Sequence, residues 1–461
     1  MIAPGWRIHA ILFCAGSMVC LPFLAPFKAP PIPTFHGEIL AAALGLLALC
    51  LTVPWARNGA LPLARIAVLP LLLALLLLVQ VISGQIVATQ MALLAMLYLL
   101  WAAGMILVAA CLKQAMGLEL VTTALAWFLI IGGVLSSAAG TAQLLRIPWL
   151  AGWVMPTDGG VWGNLGQPNH FANYLSLTLA SVLLLWSRQK LATPLALILA
   201  AWMGLMLTLS GSRSVWLYAT WFALVAAWWN WRVPSLPARR LMRATVTFIP
   251  LMLLAEGLWR VFGVEGLGTI TGLERLQDQG VGERWRLLEL GWRMISKSPW
   301  QGVGYGQYAW NYFLLNSQLT VPLNGYAHHA HNLVVQLWAE LGLGAVLALA
   351  LGAWLWVRAW RRLPVTPETW WLLALTGVLA IHAMLEYPLW YVYFLGLGAV
   401  VLGLTETATI EFAPSVALRS LVLGCLALSW VVLAQLFWGL RLSRELSGVS
   451  LPLHRCHGTG Q

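Results

Sequence analysis

Long apolar segments alternate with short polar linkers along almost the whole chain. Many of these segments approach the about 20 residues that an α-helix needs to cross a bilayer, and none has the alternating pattern of a transmembrane barrel strand. The pattern predicts an all-α integral membrane protein with about twelve transmembrane helices. The predicted spans are residues 8–27, 38–56, 63–83, 92–112, 120–145, 170–187, 192–210, 213–231, 244–262, 331–357, 369–404 and 417–440.

Residues 369–404 need a separate interpretation, because they are too long for one straight crossing and contain Pro388, which cannot continue a helical hydrogen-bond ladder. Two full crossings would leave the arginines of the C-terminal tail outside and Glu406 inside, against the usual excess of basic residues in the cytoplasm. We therefore expect one crossing plus a re-entrant or interfacial half. The membrane domain is then residues 1–440, and residues 441–461 form a short cytoplasmic tail.

The chain has 461 residues, of which 61% are hydrophobic and 9% are charged, and its formal net charge is +11. A basic protein can bind nucleic acid, but here the basic residues fall in short linkers between alternate apolar segments. This positive-inside distribution predicts a cytoplasmic N-terminus, contacts with membrane lipids and no nucleic-acid partner. The residues concerned are Arg57, Arg65, Lys113, Arg188, Lys190, Arg232, Arg239, Arg240, Arg243, Arg358, Arg361 and Arg362.

The N-terminus and the cysteines predict neither a cleaved leader nor a disulfide framework. The first apolar segment follows the single Arg7 as in a signal peptide, but the many spans after it favour an uncleaved first helix. Five cysteines lie in apolar segments and one in the tail, so we expect no disulfide and no zinc site. These are Cys14, Cys20, Cys50, Cys111, Cys425 and Cys456.

Two linkers on the predicted periplasmic side are long, at residues 146–169 and about 262–330. A connection of over sixty residues is far beyond common lengths, so we expect the second loop to be functional. Within residues 284–298, apolar side chains recur on one side of a helical pattern. This predicts an amphipathic helix that lies against the membrane or over a cavity.

Three histidines, His328, His329 and His331, stand where the long loop meets an apolar helix. A metal site is the less favoured interpretation, since no Asp, Cys or further spaced His nearby completes a coordination shell. Asn332, Gln336 and Glu340 follow on one stripe of the helix, and polar groups inside a span are functional candidates. A histidine can serve as a general base near neutral pH, although a hydrogen-bonded structural histidine is the common alternative.

Two arginines are candidate anion-binding residues. Arg213 lies in a Ser-Gly-Ser-Arg-Ser turn between two spans, where a guanidinium with serines and helix ends suits phosphate oxygens. Arg284 lies in the long outer loop; the alternatives are a snorkelling arginine for the first and a solvated helix face for the second. The later Gly302 to Gly306 stretch has no strand–loop–helix context, so we exclude a nucleotide loop.

Glu386 stands before a helix-breaking proline at the membrane boundary, where an acid either pairs with an arginine or tunes a titrating neighbour. The neighbouring Tyr387 and Trp390 are also typical of an interfacial aromatic belt.

Five motifs in order resemble the O-antigen ligase and O-antigen polymerase superfamily. They are Trp162 to His170, the Ser212-Arg213 turn, Arg284 with Pro299 to Gly304, Ala330-His331-Asn332 with Glu340 to Gly342, and Glu386 to Tyr391.

The resemblance implies a GT-C-like enzyme of the bacterial inner membrane with a periplasmic active site. Such enzymes transfer a glycan from undecaprenyl diphosphate to an acceptor hydroxyl, without a nucleotide sugar, metal or other cofactor. By the same resemblance, His331 is the catalytic residue, and Arg213 and Arg284 engage the donor diphosphate. Possible substrate contacts are Gln167, His170, Asn332, Glu386 and Tyr387.

The acceptor is less well defined by these motifs. The strings at 167–170 and 386–391 are similar to protein O-oligosaccharyltransferases that glycosylate pilin, but those enzymes usually continue into a soluble C-terminal region, whereas this sequence stops at Gln461. We therefore expect first an inverting O-antigen ligase acting on lipid A-core, then a pilin-like protein acceptor or a polymerase. A lipid-linked glycan transporter is the non-enzymatic alternative, although it should have related halves and none is evident.

Overall fold

A computed structural model describes residues 5–28, 33–52, 60–157, 160–262, 280–319, 325 and 327–446. Arg57, residues 263–279 of the long loop, and residues 447–461 with Cys456 lie outside the described part. The helices are α1 (Gly5–Met18), α2 (Phe35–Thr52), α3 (Val68–Ile82), α4 (Thr89–Met116), α5 (Leu118–Leu144), α6 (Pro168–Ser187), α7 (Thr193–Leu209), α8 (Ser214–Arg232), α9 (Leu236–Phe262), α10 (Gly280–Lys297), α11 (Tyr308–Asn316), α12 (Leu333–Leu341), α13 (Leu343–Trp360), α14 (Pro367–Leu385), α15 (Val392–Thr405) and α16 (Val416–Leu446). Two short strands, β1 (Leu61–Ala64) and β2 (Thr409–Phe412), pair antiparallel, with Leu61 opposite Phe412.

Nine helices of the described part are long and apolar enough to cross a membrane. They confirm the prediction of a helical integral membrane protein, while the count of twelve stays a prediction. The segments are Gly5–Leu24, Phe35–Thr52, Arg65–Ile82, Thr89–Met116, Leu118–Leu144, Leu236–Trp259, Leu343–Trp360, Pro367–Leu385 and Val416–Ser443.

The buried centre of the bundle is α6, although it carries more polar side chains than a lipid-facing helix. These side chains find partners inside the protein: Tyr174 donates to the Val19 carbonyl (3.0 Å) and Thr178 to the Leu129 carbonyl (3.1 Å). Gly132 and Gly133 of α5 let α6 approach this closely, because a side chain at either glycine would overlap Tyr174 or Thr178. Small residues at a helix interface are the usual way in which apolar bundles gain packing and hydrogen bonds together.

The segment predicted as one crossing plus a re-entrant or interfacial half folds as two helices, α14 and α15. Of these, α14 is among the nine helices long enough to cross a membrane and α15 is shorter, so the prediction of a half crossing stays a prediction. Glu368 at the start of α14 pairs with Arg188, and the chain end of α15 lies near Lys113, which donates to the Leu404 and Glu406 carbonyls (2.9 and 2.7 Å). Both contacts lie at the end of the bundle opposite Glu386. The lysine also satisfies carbonyls at the end of α15. The carboxylate of Glu406 there accepts the Ile66, Thr407 and Ala408 amides.

The predicted span 331–357 is also divided, since α12 ends at Leu341 and α13 begins at Leu343. The turn from Pro299 to Gly304 packs into this break: Val303 and Gly304 donate backbone hydrogen bonds to the Ala339 and Glu340 carbonyls (2.8 and 3.0 Å). The Gln80 side chain of α3 donates to the Gln301 and Glu340 carbonyls (2.8 and 2.9 Å). The outer loop, α3 and α12 therefore form one hydrogen-bonded unit.

Gly302 is required in this turn for steric reasons as well as for its backbone angle. It adopts φ +72°, and a Cβ there would lie 2.3 Å from the Glu340 carbonyl oxygen. Gly306 adopts nearly the same angle, φ +74°, but its nearest neighbour would be the Met91 sulfur at 4.0 Å.

Replacing Gly302 with Ala should therefore lower the melting temperature and the activity much more than Gly306→Ala does. Both variants pay the about 1–2 kcal/mol cost of a left-handed alanine, but only Gly302→Ala also separates the turn from α12. Thermal unfolding of the two purified variants measures the difference. Equal melting temperatures would show that the close approach at Gly302 contributes nothing.

Candidate active site

The buried carboxylate of Glu386 joins four separate parts of the chain. Its Oε2 lies 2.7 Å from His331 Nδ1, and its Oε1 accepts hydrogen bonds from Arg284 Nη2 (2.6 Å) and Asn169 Nδ2 (2.9 Å). Glu386 directly follows α14, Arg284 lies on α10, His331 precedes α12, and Asn169 begins α6. Residues far apart in sequence thus meet at a single side chain.

Charged partners keep Glu386 ionised despite its position. Burial alone would raise the pKa of the Glu386 carboxyl, but the hydrogen bond and charge of His331, together with the Arg284 charge, lower that pKa below its usual value. An anion with several donors is the arrangement that makes a buried carboxylate tolerable. The sequence left two roles open for this acid, pairing with an arginine or tuning a titrating neighbour, and the structure contains the ion pair to Arg284.

His331 combines a partly exposed ring with an unusual backbone. Its side chain is 27% exposed and its φ is +53°, in the left-handed region. Asn332 then begins α12, and its side-chain oxygen accepts from the Val334 and Val335 amides (both 3.1 Å). With Nδ1 turned to the carboxylate, the second ring nitrogen, Nε2, is left as the proton acceptor of the imidazole.

Arg213 is connected to this centre through its serine neighbours. Ser212 donates to the Asn169 side-chain oxygen (2.6 Å), and its hydroxyl lies 2.7 Å from that of Ser214. Arg213 stands between the two serines, is partly exposed, and directly precedes α8. Both predicted arginines therefore belong to elements that contact Asn169 or Glu386.

The start of α6 is held by Gln167, which the sequence named as a possible substrate contact, and by Gln143, which the sequence did not single out. Gln167 caps the helix by accepting the His170 amide (2.8 Å). In front of it, Gln143 accepts the Trp162 and Gly163 amides (2.9 and 2.8 Å) and donates to the Met155 and Gly163 carbonyls (2.9 and 2.8 Å). Gln143 uses its whole amide on the backbone, so it fixes the loop from which Asn169 emerges. Its only sequence signal is a polar amide near the end of an apolar helix.

The neighbouring histidines differ from His331 in their surroundings. His328 is exposed, whereas His329 stacks on Tyr387 with ring centroids 4.2 Å apart and meets the Trp390 ring edge-on at 5.1 Å. Burial, with the nearby His331 and His328, lowers the pKa of His329 to about 3. A ring that stays neutral between two aromatic side chains acts in packing.

The remaining predicted contacts lie at different depths. Tyr387 is half-buried and meets the His331 ring edge-on at 5.2 Å, so it belongs to the same surface. His170 is 4% exposed and packs against His382, Tyr391 and Phe394, behind that surface. A substrate contact by His170 stays a prediction, and in this conformation its ring has almost no free surface.

An apolar cavity of about 470 Å³ lies next to these residues. Leu333 and Leu337 of α12 and Trp390 line one wall, and leucines of α3, α4 and α13 line others. Since Trp390 also contacts His329, the cavity adjoins the segment that carries His328, His329 and His331. In the described part of the chain no group of three His, Cys, Asp or Glu side chains forms a candidate metal site.

Models of three known protein families match successive parts of the chain. The family described as Protein glycosylation ligase matches residues 161–186, O-Antigen ligase matches 195–347, and Virulence factor membrane-bound polymerase, C-terminal, matches 370–447. The three segments contain Asn169, both arginines, His331 and Glu386. Over successive parts of its length, the chain is therefore similar to O-antigen ligases and oligosaccharyltransferases.

One relative extends this similarity over nearly the full sequence. The General O-oligosaccharyltransferase of Acinetobacter baylyi is 27% identical over 442 residues, which cover 93% of this chain and 75% of the relative. The superfamily resemblance drawn from five short motifs is thus confirmed.

Glu386→Gln should reduce glycan transfer by roughly 10²-fold, because a neutral amide cannot hold His331 and Arg284 together. The matched control is Glu289→Gln, which removes an exposed ion pair to Arg293 on α10 and should have little effect. Initial transfer rates of the purified variants make the comparison. Similar rates in both would contradict a central role for Glu386.

The lowered pKa of Glu386 also predicts how the stability difference between the native protein and Glu386→Gln changes with pH. A carboxyl whose pKa is lower in the folded state stabilises the fold above its unfolded pKa, and that contribution is lost as the pH falls through the folded pKa. The melting-temperature difference between the native protein and Glu386→Gln should therefore shrink from pH 7 to pH 3.

Proposed function

We propose that the protein is an O-oligosaccharyltransferase that moves a glycan en bloc from a lipid-linked diphosphate donor to an acceptor hydroxyl. The observation that carries this proposal is the imidazole of His331, oriented by a buried carboxylate that also holds Arg284. A base beside a guanidinium is the pairing needed for attack by a hydroxyl and departure of a diphosphate.

In the proposed reaction, the acceptor oxygen attacks the anomeric carbon while His331 Nε2 takes the hydroxyl proton. The bond from that carbon to the donor diphosphate breaks, and the electron pair leaves on the diphosphate. Arg284 and Arg213 stabilise the charge that grows there, as guanidinium groups suit phosphate oxygens. One displacement inverts the anomeric carbon, and general-base action typically contributes about 10²–10⁴-fold.

The apolar cavity supports a lipid-linked donor. A molecule with an anionic head and a long hydrocarbon tail would place the head near the two arginines and part of the tail between α3, α4, α12 and α13. Burial of a tail stabilises binding by about 25 cal/mol per Å² of apolar surface. We propose undecaprenyl diphosphate as the carrier, with the site facing the periplasm from the bacterial inner membrane, on the evidence of the superfamily and the distribution of basic linkers.

For the acceptor we propose a protein hydroxyl. The match to Protein glycosylation ligase covers the start of α6, where Asn169 joins the site, and the Acinetobacter baylyi relative is named for oligosaccharyl transfer. This reverses the order of acceptors expected from the sequence. A lipid A-core ligase is the second candidate, because the O-Antigen ligase match covers Arg213, Arg284 and His331.

His331→Ala should lower the rate of transfer by about 10²-fold or more while donor binding persists, because the variant removes the base and leaves both arginines. Arg213→Ala and Arg284→Ala should instead weaken donor binding, and Arg213→Lys should restore it only partly because lysine lacks the planar fork. The control is His328→Ala, a change at the exposed neighbour. Near-normal transfer by His331→Ala would remove the base role, and unchanged donor binding in both arginine-to-alanine variants would remove the diphosphate role.

The acceptor class can be decided with one purified sample and one donor. The detergent-purified protein, supplied with an undecaprenyl diphosphate-linked glycan, should glycosylate a pilin-like protein and leave lipid A-core unmodified. Transfer to lipid A-core alone would favour the ligase, and transfer to a second lipid-linked repeat would favour a polymerase. Failure to transfer to any of the three would contradict an enzyme and favour a transporter.

A further inference from the structure

The backbone of His331 is held in a conformation that a histidine rarely adopts. A non-glycine residue in the left-handed region costs roughly 1–2 kcal/mol. Such residues persist where the surrounding structure fixes them, and they concentrate at functional sites. The other described non-glycine residues with positive φ, Arg146 and Gln189, are exposed and follow the ends of α5 and α6. His331 differs because its side chain faces a buried carboxylate.

Hydrogen bonds on both sides of His331 fix this conformation. On the C-terminal side, the Asn332 side chain caps α12 and donates to the Met384 carbonyl (3.2 Å). On the N-terminal side, the backbone amide of Ala330 donates to the side-chain oxygen of Gln336 (2.7 Å). Ala330 is 1% exposed and Gln336 is 2% exposed, so water does not replace this bond. Losing it would leave a buried amide unsatisfied, which costs about 1–3 kcal/mol.

We propose that Gln336 is a positioning residue for the transfer reaction: by binding the Ala330 amide from one turn into α12, it holds His331 in the left-handed conformation that directs its ring to Glu386. This inference rests on the proposed function, in which His331 is the base.

Glu340 supports Gln336 from the next turn of α12. Its buried carboxylate accepts the Tyr308 amide (3.0 Å) at the start of α11, and the Gln336 side-chain amide lies beside the same carboxylate. Burial raises the pKa of Glu340 to about 7, while the surrounding amides oppose that rise. The ionisable neighbours that face it are the phenols of Tyr305 and Tyr308, whose pKa values are raised by burial, so they stay neutral.

The polar stripe on α12 thus has a different use from the one its sequence spacing suggests. Asn332 and Gln336 fix the backbone on the two sides of His331, and Glu340 fastens the helix to α11. All three act on the protein backbone, and their role is to present the histidine.

The test replaces Gln336 with Met, which keeps the length of the side chain but accepts no comparable hydrogen bond. We expect kcat to fall about tenfold or more, while the donor KM changes less than twofold because Arg213 and Arg284 lie on other elements. Gln318→Met, at an exposed glutamine of the same outer segment, is the control and should leave both constants unchanged. Wild-type kcat in Gln336→Met, or equal losses in kcat and donor affinity, would overturn the proposal.

Gln336→Glu supplies a rescue with its own pH signature. It keeps an oxygen for the Ala330 amide but adds a carboxyl beside Glu340, so two like charges meet when both ionise. At pH 6, where the two carboxyls can share a proton, the transfer rate of Gln336→Glu should recover from the loss seen in Gln336→Met. At pH 8 its transfer rate should decline relative to wild type. No recovery at pH 6 would contradict the role of the acceptor oxygen.

A readout that does not use transfer separates this inference from the proposed function. Diethyl pyrocarbonate modification of His331, followed by mass spectrometry, reports the accessibility of the ring, and His328 in the same sample is the internal reference. Gln336→Met should speed modification of His331 several-fold relative to His328. If His331→Ala stayed active but this change occurred, the proposed function would fail and the positioning role would stand; an unchanged rate would sink the positioning role.

Discussion

A buried carboxylate shared by an arginine and a histidine is the interaction on which the rest of this structure depends. An unpaired charge in an apolar interior is strongly destabilising, so the ionised Glu386 is tolerable only with its donors in place. Those donors come from α6, α10 and the turn before α12. The requirement that they meet explains why α10 packs onto the membrane domain rather than extending from it.

The same requirement accounts for the interrupted helices around the site. A continuous helix through residues 331–357 would join α12 and α13 into one straight helix. The break at Gly342 instead lets the turn from Pro299 to Gly304 pack against the end of α12. Helix α14 likewise ends at Leu385, with Glu386 as its C-terminal cap, so the Glu386 carboxylate is not part of a continuous helix. Irregular backbone in a membrane domain is tolerable where protein groups satisfy its hydrogen bonds. Here the Gln80 side chain and the turn from Pro299 to Gly304 do so.

The polar residues of the site and the apolar cavity lie next to each other at α12. α12 presents Leu333 and Leu337 to the cavity, while its first turn fixes the histidine. A substrate with an ionic head and a hydrocarbon tail would contact both faces of one short helix. Binding of the tail and the orientation of the His331 ring would then be linked through α12. This linkage gives a physical reason why a lipid-linked donor, rather than a soluble sugar, suits the site.

The sequence by itself determined the helical membrane class, the segments that form helices and the five motifs of the superfamily, because hydropathy and short motifs are local properties. It also indicated that Glu386 should either pair with an arginine or tune a titrating neighbour. Which arginine, and the part played by Asn169 and Gln143, were decided only by tertiary structure, since these contacts join residues separated by over a hundred positions or bind backbone atoms that no side-chain pattern reveals. The position of the end of α15 was likewise decided there, because Lys113, almost three hundred residues earlier in the sequence, donates hydrogen bonds to the Leu404 and Glu406 carbonyls.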